Sequence, residues 1–266
     1  MNGDIHETAI VSPGAVIEEG ASVGPYAVIE SDVHIGAGTR IGAHAVIRSH
    51  TRIGRDNDID AHAVIGGKPQ HTRYDGSPTG VTIGDGNVIR EGVTIHRAFL
   101  PGGETRIGSR CYLMAYAHVG HDCRIGDGVT LSNNVLLGGH VEIGDGVVMG
   151  GAAGAHQFVR IGAYSMVAGY APLRKDVLPF MLVGGEPPRH FRLNSVGLRR
   201  NGYDATRLRA LEAAFRALRA GDKALATAPD GPDVQFLREW LAAESRFGHY
   251  GFASPRTSRD QQPRTP

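Results

Sequence analysis

An aliphatic or small residue returns at every sixth position along most of this 266-residue chain. From Val11 the series runs in phase through Ile17, Val23, Ile29, Ile35, Ile41, Ile47, Ile53, Ile59 and Ile65. It returns at Ile83, Ile89 and Ile95, and resumes at Ile107 through Val167. A six-residue period is the signature of a parallel β-helix. If each hexad forms one side of a triangular coil, a turn takes 18 residues and equivalent positions stack at about 4.8 Å. Each coil buries one ring of side chains against its neighbours, so stability approaches a sum of neighbouring interfaces.

Adding 18 to the polar residues of 117–157, AHVGHDCRIGDGVTLSNNVLLGGHVEIGDGVVMGGAAGAHQ, gathers them at one corner of three coils. His121 leads to Gly139 and then Gln157, Asp122 leads to His140, and Gly138 leads to His156. His118 lies three residues before His121 on the same coil. The corner therefore offers imidazoles, a carboxylate, an amide and a Gly-Gly backbone.

Two stretches leave the repeat, at 66–80 (GGKPQHTRYDGSPTG) and at 98–104. The first carries Lys68, His71, Arg73 and Tyr74, and reads equally as a solvated loop or as an anion or sugar contact. His96 and Arg97 fall outside the inward ring, and either line the groove of His121 or are exposed. The 38 glycines recur in Ile-Gly pairs and belong to turns, and G-A, G-T, G-R and D-N pairs suit corners that need a positive φ. The formal charge of +1 gives no strong field for nucleic acid. Cys111 and Cys123, each two residues before a repeat aliphatic, read as small packed thiols of a reduced compartment rather than as disulfide or metal ligands. The start has no basic region followed by an apolar run, and no 18-residue apolar stretch occurs, so a soluble cytoplasmic protein without a membrane span is expected.

Gly-Gly and Pro-Pro pairs end the repeat near 187. Leu208, Leu211, Phe215 and Leu218, with Gly221 as a stop, predict one helix. A second helix is predicted from about Asp233, with Phe236, Leu237, Trp240 and Leu241 on its apolar side. The division is thus a β-helix over 1–187, a helical domain over 188–252 making a cap or oligomer contact, and a polar, proline-containing tail over 253–266 expected to be disordered.

The corner holds no activated nucleophile. Ser132 and Ser165 do not stack on His121, and Cys123 takes a packing position. A histidine without a nucleophile serves as general base on a hydroxyl or amine. Asp122 would orient an imidazole and steady the imidazolium, and the Gly139 N–H could face the oxygen of a tetrahedral intermediate. Base plus oxyanion donor implies direct acyl transfer from a thioester.

These motifs resemble the UDP-N-acetylglucosamine O-acyltransferases that open lipid A biosynthesis in Gram-negative bacteria. The resemblance rests on GRDN (54–57), IREGVTIHR (89–97), HVGHDC (118–123), GGH (138–140), AHQF (155–158) and the terminal helices. It implies a left-handed parallel β-helix with a C-terminal α-helical domain, forming a homotrimer with active sites between subunits. It also implies an acyl carrier protein as donor of a 3-hydroxyacyl chain, UDP-N-acetylglucosamine as acceptor, and no cofactor. By that resemblance His121 is the catalytic base, Asp122 its orienting carboxylate and Gly139 the oxyanion donor. Arg73, His96, His118, His140, His156, Gln157, Asn194 and Arg200 match substrate-contacting positions, and Gly169 a position that helps set chain length. This sequence departs from the family's pattern at His71, Arg73, Glu186, Val196 and Asn201, on the acceptor side rather than at the catalytic corner. Acylation of a 3-amino sugar nucleotide is therefore an alternative reading. A zinc hydratase of the carbonic-anhydrase kind, using His118, His121 and His140, and a catalytically silent scaffold are two others.

Overall fold

The inward residue of each hexad decides the architecture, because two flanking residues are all a side needs to bond to the coil above. In the computed structural model, which describes residues 4–253, most rungs are two-residue parallel strands in three sheets of eleven, nine and eight strands. We call these the first, second and third faces. A plain coil advances 18 residues, as in the first-face register Asp4–Ser22–Arg40–Asp58. Inside, Ile29, Ile47, Ile65, Ile95, Val119 and Leu137 form one fully buried column.

Two coils are longer. Asp58 pairs with Val88 and Val88 with Tyr112, separations of 30 and 24 residues. Both exceed the plain coil by a multiple of six, so the inward phase survives. Each excursion leaves between a second-face rung (Val64–Gly67, Thr94–His96) and a third-face rung (Gly80–Ile83, Glu104–Ile107). His121 lies on this same edge of the prism, between His118–Val119 and Arg124–Ile125.

The corners correct the sequence reading of the glycines. Most left-handed corner positions belong to other residues, among them Tyr26, Asp32, His44, His62, Asp122, Asn134, His140, Ala152 and Phe158, with φ between 53° and 67°. Asn, Asp and His tolerate that region better than most side chains. The Ile-Gly glycines are needed for closeness instead: a Cβ on Gly36 would lie 2.6 Å from the carbonyl of Gly54, and one on Gly42 would lie 2.7 Å from the Ala61 nitrogen. One interior corner is polar. Asn57 accepts from the N–H of Asn87 (2.9 Å), and Asn87 from that of Cys111 (2.7 Å), so buried amides continue the ladder.

After Pro172–Leu173 the chain forms an antiparallel pair, Met181–Gly184 with Arg189–Leu193, joined to the first face. Helices α1 (Ser195–Arg200), α2 (Ala205–Arg219) and α3 (Pro232–Ala242) follow. Asp204 caps α2 by accepting from the Arg207 N–H at 2.8 Å, and Leu208, Leu211 and Phe215 join Leu198, Val234 and Leu237 in a second core. The sequence reading had no α1, and Phe236, given to the apolar side of α3, stays 40% exposed. The chain then returns to the coils, where Asp176 bridges His249 and His190 bridges Phe252. The expected disordered tail lies, beyond Ala253, outside the described residues.

Candidate active site

Two columns of coil-equivalent residues build the site at the edge between the second and third faces. One runs His121, Gly139, Gln157; the other runs Asp122, His140, Phe158, all three left-handed. Backbone bonds lock their stacking: the His140 N–H donates to the His121 carbonyl (2.9 Å) and the Phe158 N–H to that of Gly139 (3.0 Å). His121 is 8% exposed, and its Nδ1–H donates to Asp122 Oδ2 at 2.7 Å, leaving Nε2 as the basic nitrogen. The imidazole reaches over Gly139, where a Cβ would meet its Cε1 at 2.5 Å and its Nε2 at 2.6 Å. The Gly139 N–H donates to no group among the described residues.

Asp122 is fixed from three sides. Its own N–H donates to Thr105 Oγ1 (2.8 Å), and Oδ2 accepts from the Phe99 N–H (2.8 Å) as well as from His121. Burial raises the carboxyl pKa, but the His121 and Phe99 hydrogen bonds outweigh it and hold the group below its ordinary value. His140 stands edge-on to His121 with ring centroids 5.1 Å apart, its Nε2 3.8 Å from Asp122 Oδ2. Its pKa is lowered, by burial first and by the neighbouring His121, His71 and Arg246, against the pull of Asp122. Both excursions fold over this corner: the His71 ring lies 3.9 Å from that of Phe99 and 5.6 Å from that of His121. A cleft of about 880 Å³ opens beside the corner, lined among others by Leu100, Asp122, Arg124, His140, Phe158 and Arg246.

The structure separates the other sequence-predicted residues. His118 points from the second face, hydrogen-bonded to Thr94 Oγ1 at 2.8 Å with its ring 5.1 Å from His96, and shares a groove of about 400 Å³ with His156. Burial, with His96 beside it, lowers its pKa to about 4. His118 is therefore not in the His121 cluster, contrary to the coil reading, and His96 joins His118 while its Nδ1–H donates to the Lys68 carbonyl (2.7 Å). The zinc-hydratase trio of His118, His121 and His140 does not converge within one chain. His121, Asp122 and His140 do bring one donor atom each within 4.8 Å of one another, but Nδ1 and Oδ2 are committed to each other. His156 hydrogen-bonds the Gln157 carbonyl at 3.2 Å. Arg73 is exposed in the first excursion, where its N–H donates to His71 Nδ1 (3.2 Å). Gly169 sits on the edge between the first and second faces beside Tyr170, Asn194 caps α1 by accepting from the Gly197 N–H (3.2 Å), and Arg200 is exposed at the end of α1.

Burial keeps both thiols protonated, raising Cys111 to about 11 and Cys123 to about 12, so neither is a nucleophile. Sequence reasoning missed Phe99, Phe158 and Arg246 as members of the site. Phe158 lay within reach, being 18 residues after His140; a backbone N–H from an excursion and a side chain from the distant C-terminal segment leave no periodic trace.

A parallel β-helix carrying a buried histidine bonded to a carboxylate, with no hydroxyl or thiol hydrogen-bonded to that histidine among the described residues, is the architecture of a hexapeptide-repeat acyltransferase. The bacterial transferase hexapeptide family matches at residues 14–49, 32–67 and 104–139, and domain 2 of the UDP N-acetylglucosamine O-acyltransferase family matches at 176–248. The acyl-[acyl-carrier-protein]–UDP-N-acetylglucosamine O-acyltransferase of Alkalilimnicola ehrlichii is 44% identical over 251 residues, 91% of this chain and 97% of that one. Among solved structures, the UDP-N-acetylglucosamine acyltransferase of Campylobacter jejuni superposes with a TM-score of 0.87 at 34% identity, covering 94% of this chain and 100% of the other. That of Francisella novicida gives 0.86 at 32%, covering 93% and 94%. The chain belongs to the UDP-N-acetylglucosamine O-acyltransferase family, and its fold is that family's left-handed parallel β-helix with a C-terminal helical domain.

Proposed function

We propose that this protein transfers a 3-hydroxyacyl chain from acyl carrier protein to the 3-hydroxyl of UDP-N-acetylglucosamine, the opening step of lipid A biosynthesis, as a cytoplasmic homotrimer. The single observation that carries the mechanism is the 2.7 Å bond between His121 Nδ1 and Asp122 Oδ2, with Gly139 one coil above the imidazole. His121 Nε2 takes the proton of the sugar hydroxyl as its oxygen attacks the thioester carbonyl. Such a base is worth roughly 10² to 10⁴ in rate. The oxyanion that forms faces the Gly139 N–H, a contact worth about 3 kcal/mol. When the intermediate collapses, the carbon–sulfur bond breaks and the imidazolium returns the proton to the leaving thiolate. Asp122 stays ionised throughout and steadies the imidazolium.

Arg73, His96, His118, His140, His156, Gln157, Asn194 and Arg200 bind substrate in this reading, and Gly169 bears on acyl length. The trimer has a structural motive. Gly169 and α1 lie away from the His121 edge within one chain, and a neighbouring copy is what would bring them to a shared cleft. Residues 1–187 form the catalytic β-helix of this reading and 188–252 its helical domain.

The test is incubation with UDP-N-acetylglucosamine and a panel of 3-hydroxyacyl carrier proteins, with His121→Ala as control and mass spectrometry of the sugar nucleotide. Acylated product that disappears in the variant is the expected result, and the panel then reads the chain length. A preference for the 3-amino acceptor, with no turnover of the hydroxy sugar, would replace the O-acyl reading with N-acylation.

A further inference from the structure

A continuous stack of groups runs from the C-terminal segment into the catalytic corner. The guanidinium of Arg246 lies 4.0 Å from the centroid of the Phe158 ring. The opposite side of the stack is His140, its ring 4.5 Å from Phe158 and inclined by only 4°. His140 Nε2 in turn stands 3.8 Å from the Asp122 oxygen that holds His121. The segment bearing Arg246 is itself tied down, since the Arg160 guanidinium donates to the carbonyls of Ala243 (3.3 Å) and Glu244 (2.6 Å), and Phe247 packs against the coil core.

We propose that Arg246, acting through Phe158, is a positioning residue for the catalytic corner: it fixes the His140 ring and keeps it neutral, so that His121 alone takes the substrate proton. The proposal rests on the assignment of His121 as base. An aromatic face attracts a cation, and a cation already above Phe158 disfavours a second one developing in the imidazole below it. Asp122 favours protonation of His140, and His121, His71 and Arg246 oppose it, while Glu104, Arg124, Glu142, Arg160 and Glu244 line the same cleft. Of the permanent cations in that cleft, Arg246 is the one stacked on Phe158 against His140. A charged His140 would compete for Asp122 and place a positive charge 5.1 Å from a base that must become imidazolium.

The test compares kcat/KM between pH 5.5 and 8.5 for the full-length protein and its Arg246→Met, Arg246→Lys and Phe158→Leu variants, with NMR titration of the imidazole signals. In Arg246→Met the His140 signal should titrate at higher pH, and kcat/KM should fall at least threefold more at pH 6 than at pH 8. Arg246→Lys, which restores the charge, should recover most of the acid-side activity, and Phe158→Leu should loosen the His140 ring and behave like Arg246→Met. A loss equal at every pH, or an unmoved His140 titration, would overturn the proposal. Activity retained in His121→Ala would instead overturn the assignment of the base, an outcome read in a separate variant.

Discussion

At the scale of single residues, Gly139 shows how one atom sets the geometry of the proposed base, His121. Because a Cβ there would lie 2.5–2.6 Å from the imidazole of His121, Gly139→Ala must tilt that ring away from Asp122 or lift the coil corner. The expected outcome is a fall in kcat of about 10² or more, comparable to losing an oxyanion donor, with a melting temperature within a few degrees of the parent. Steady-state kinetics with calorimetry checks both. His190 gives a second residue-scale prediction. It is fully buried, donates from Nδ1 to the Tyr250 carbonyl (2.9 Å) and accepts the Leu178 N–H at Nε2 (2.9 Å), and burial lowers its pKa from 6.5 to about 4. Since the folded state favours the neutral ring, its contribution is fully present above pH 6.5 and is lost as pH falls from there toward 4. About 3 kcal/mol goes over that window, at ~1.4 kcal/mol per pH unit. Chemical denaturation across pH 4–7 should show a shallower slope in His190→Gln.

At the scale of elements, the decisive contact is between one coil and the end of α3. Arg160 donates to the carbonyls of Trp240 (3.1 Å), Ala243 and Glu244 and stacks on the Trp240 ring at 4.4 Å, placing a cation where the helix dipole is negative. Its own N–H donates to the buried Asp176 (2.9 Å). Arg160→Met should cost about 2–3 kcal/mol, the scale of a lost hydrogen bond to a charged group, and expose residues 243–250 to limited proteolysis before the coils are cut. The same elements show what was legible in the sequence. The coils could be read because a six-residue period is unambiguous and because both excursions preserve it. The pairing of Asp122 with His140 followed from the 18-residue turn. Helix α1 could not, since Ser195–Arg200 is six residues long and contains Gly197, and the side chain of its cap, Asn194, is held in place by donating to the Tyr164 carbonyl of a distant coil (2.9 Å). Nor could the separation of His118 from His121 be seen, because three residues along a corner turn a side chain from one face of the prism to the next edge.

At the scale of the whole molecule, the ends of the solenoid differ. The last coils are covered by the returning segment: Tyr250 is 5% exposed, and its hydroxyl accepts the Arg174 N–H at 2.6 Å. At the first coil the inward-phase Ile5 is 43% exposed and Val11 and Ile17 are only half-buried, whereas their counterparts from Val23 onward are buried, so fraying should begin there. Hydrogen exchange should show protection rising from residue 5 toward the interior coils. The proposed trimer also predicts complementation. His121→Ala and Arg200→Ala, each inactive alone, should regain a fraction of the parent activity when co-expressed if a site draws residues from two copies; no recovery would place each site within one chain.

The left-handed corners carry a consequence in terms of chirality. Ala152 sits at φ 56°, a conformation that costs an L-residue about 1 kcal/mol or more and that a D-residue adopts at rest. Corner after corner, the chain turns on positions whose backbone suits the mirror image of the amino acids that occupy them. A semisynthetic protein with D-alanine at 152 would therefore fold to the same coil with less strain, and a prism of this kind is a scaffold on which mirror-image residues belong at every turn.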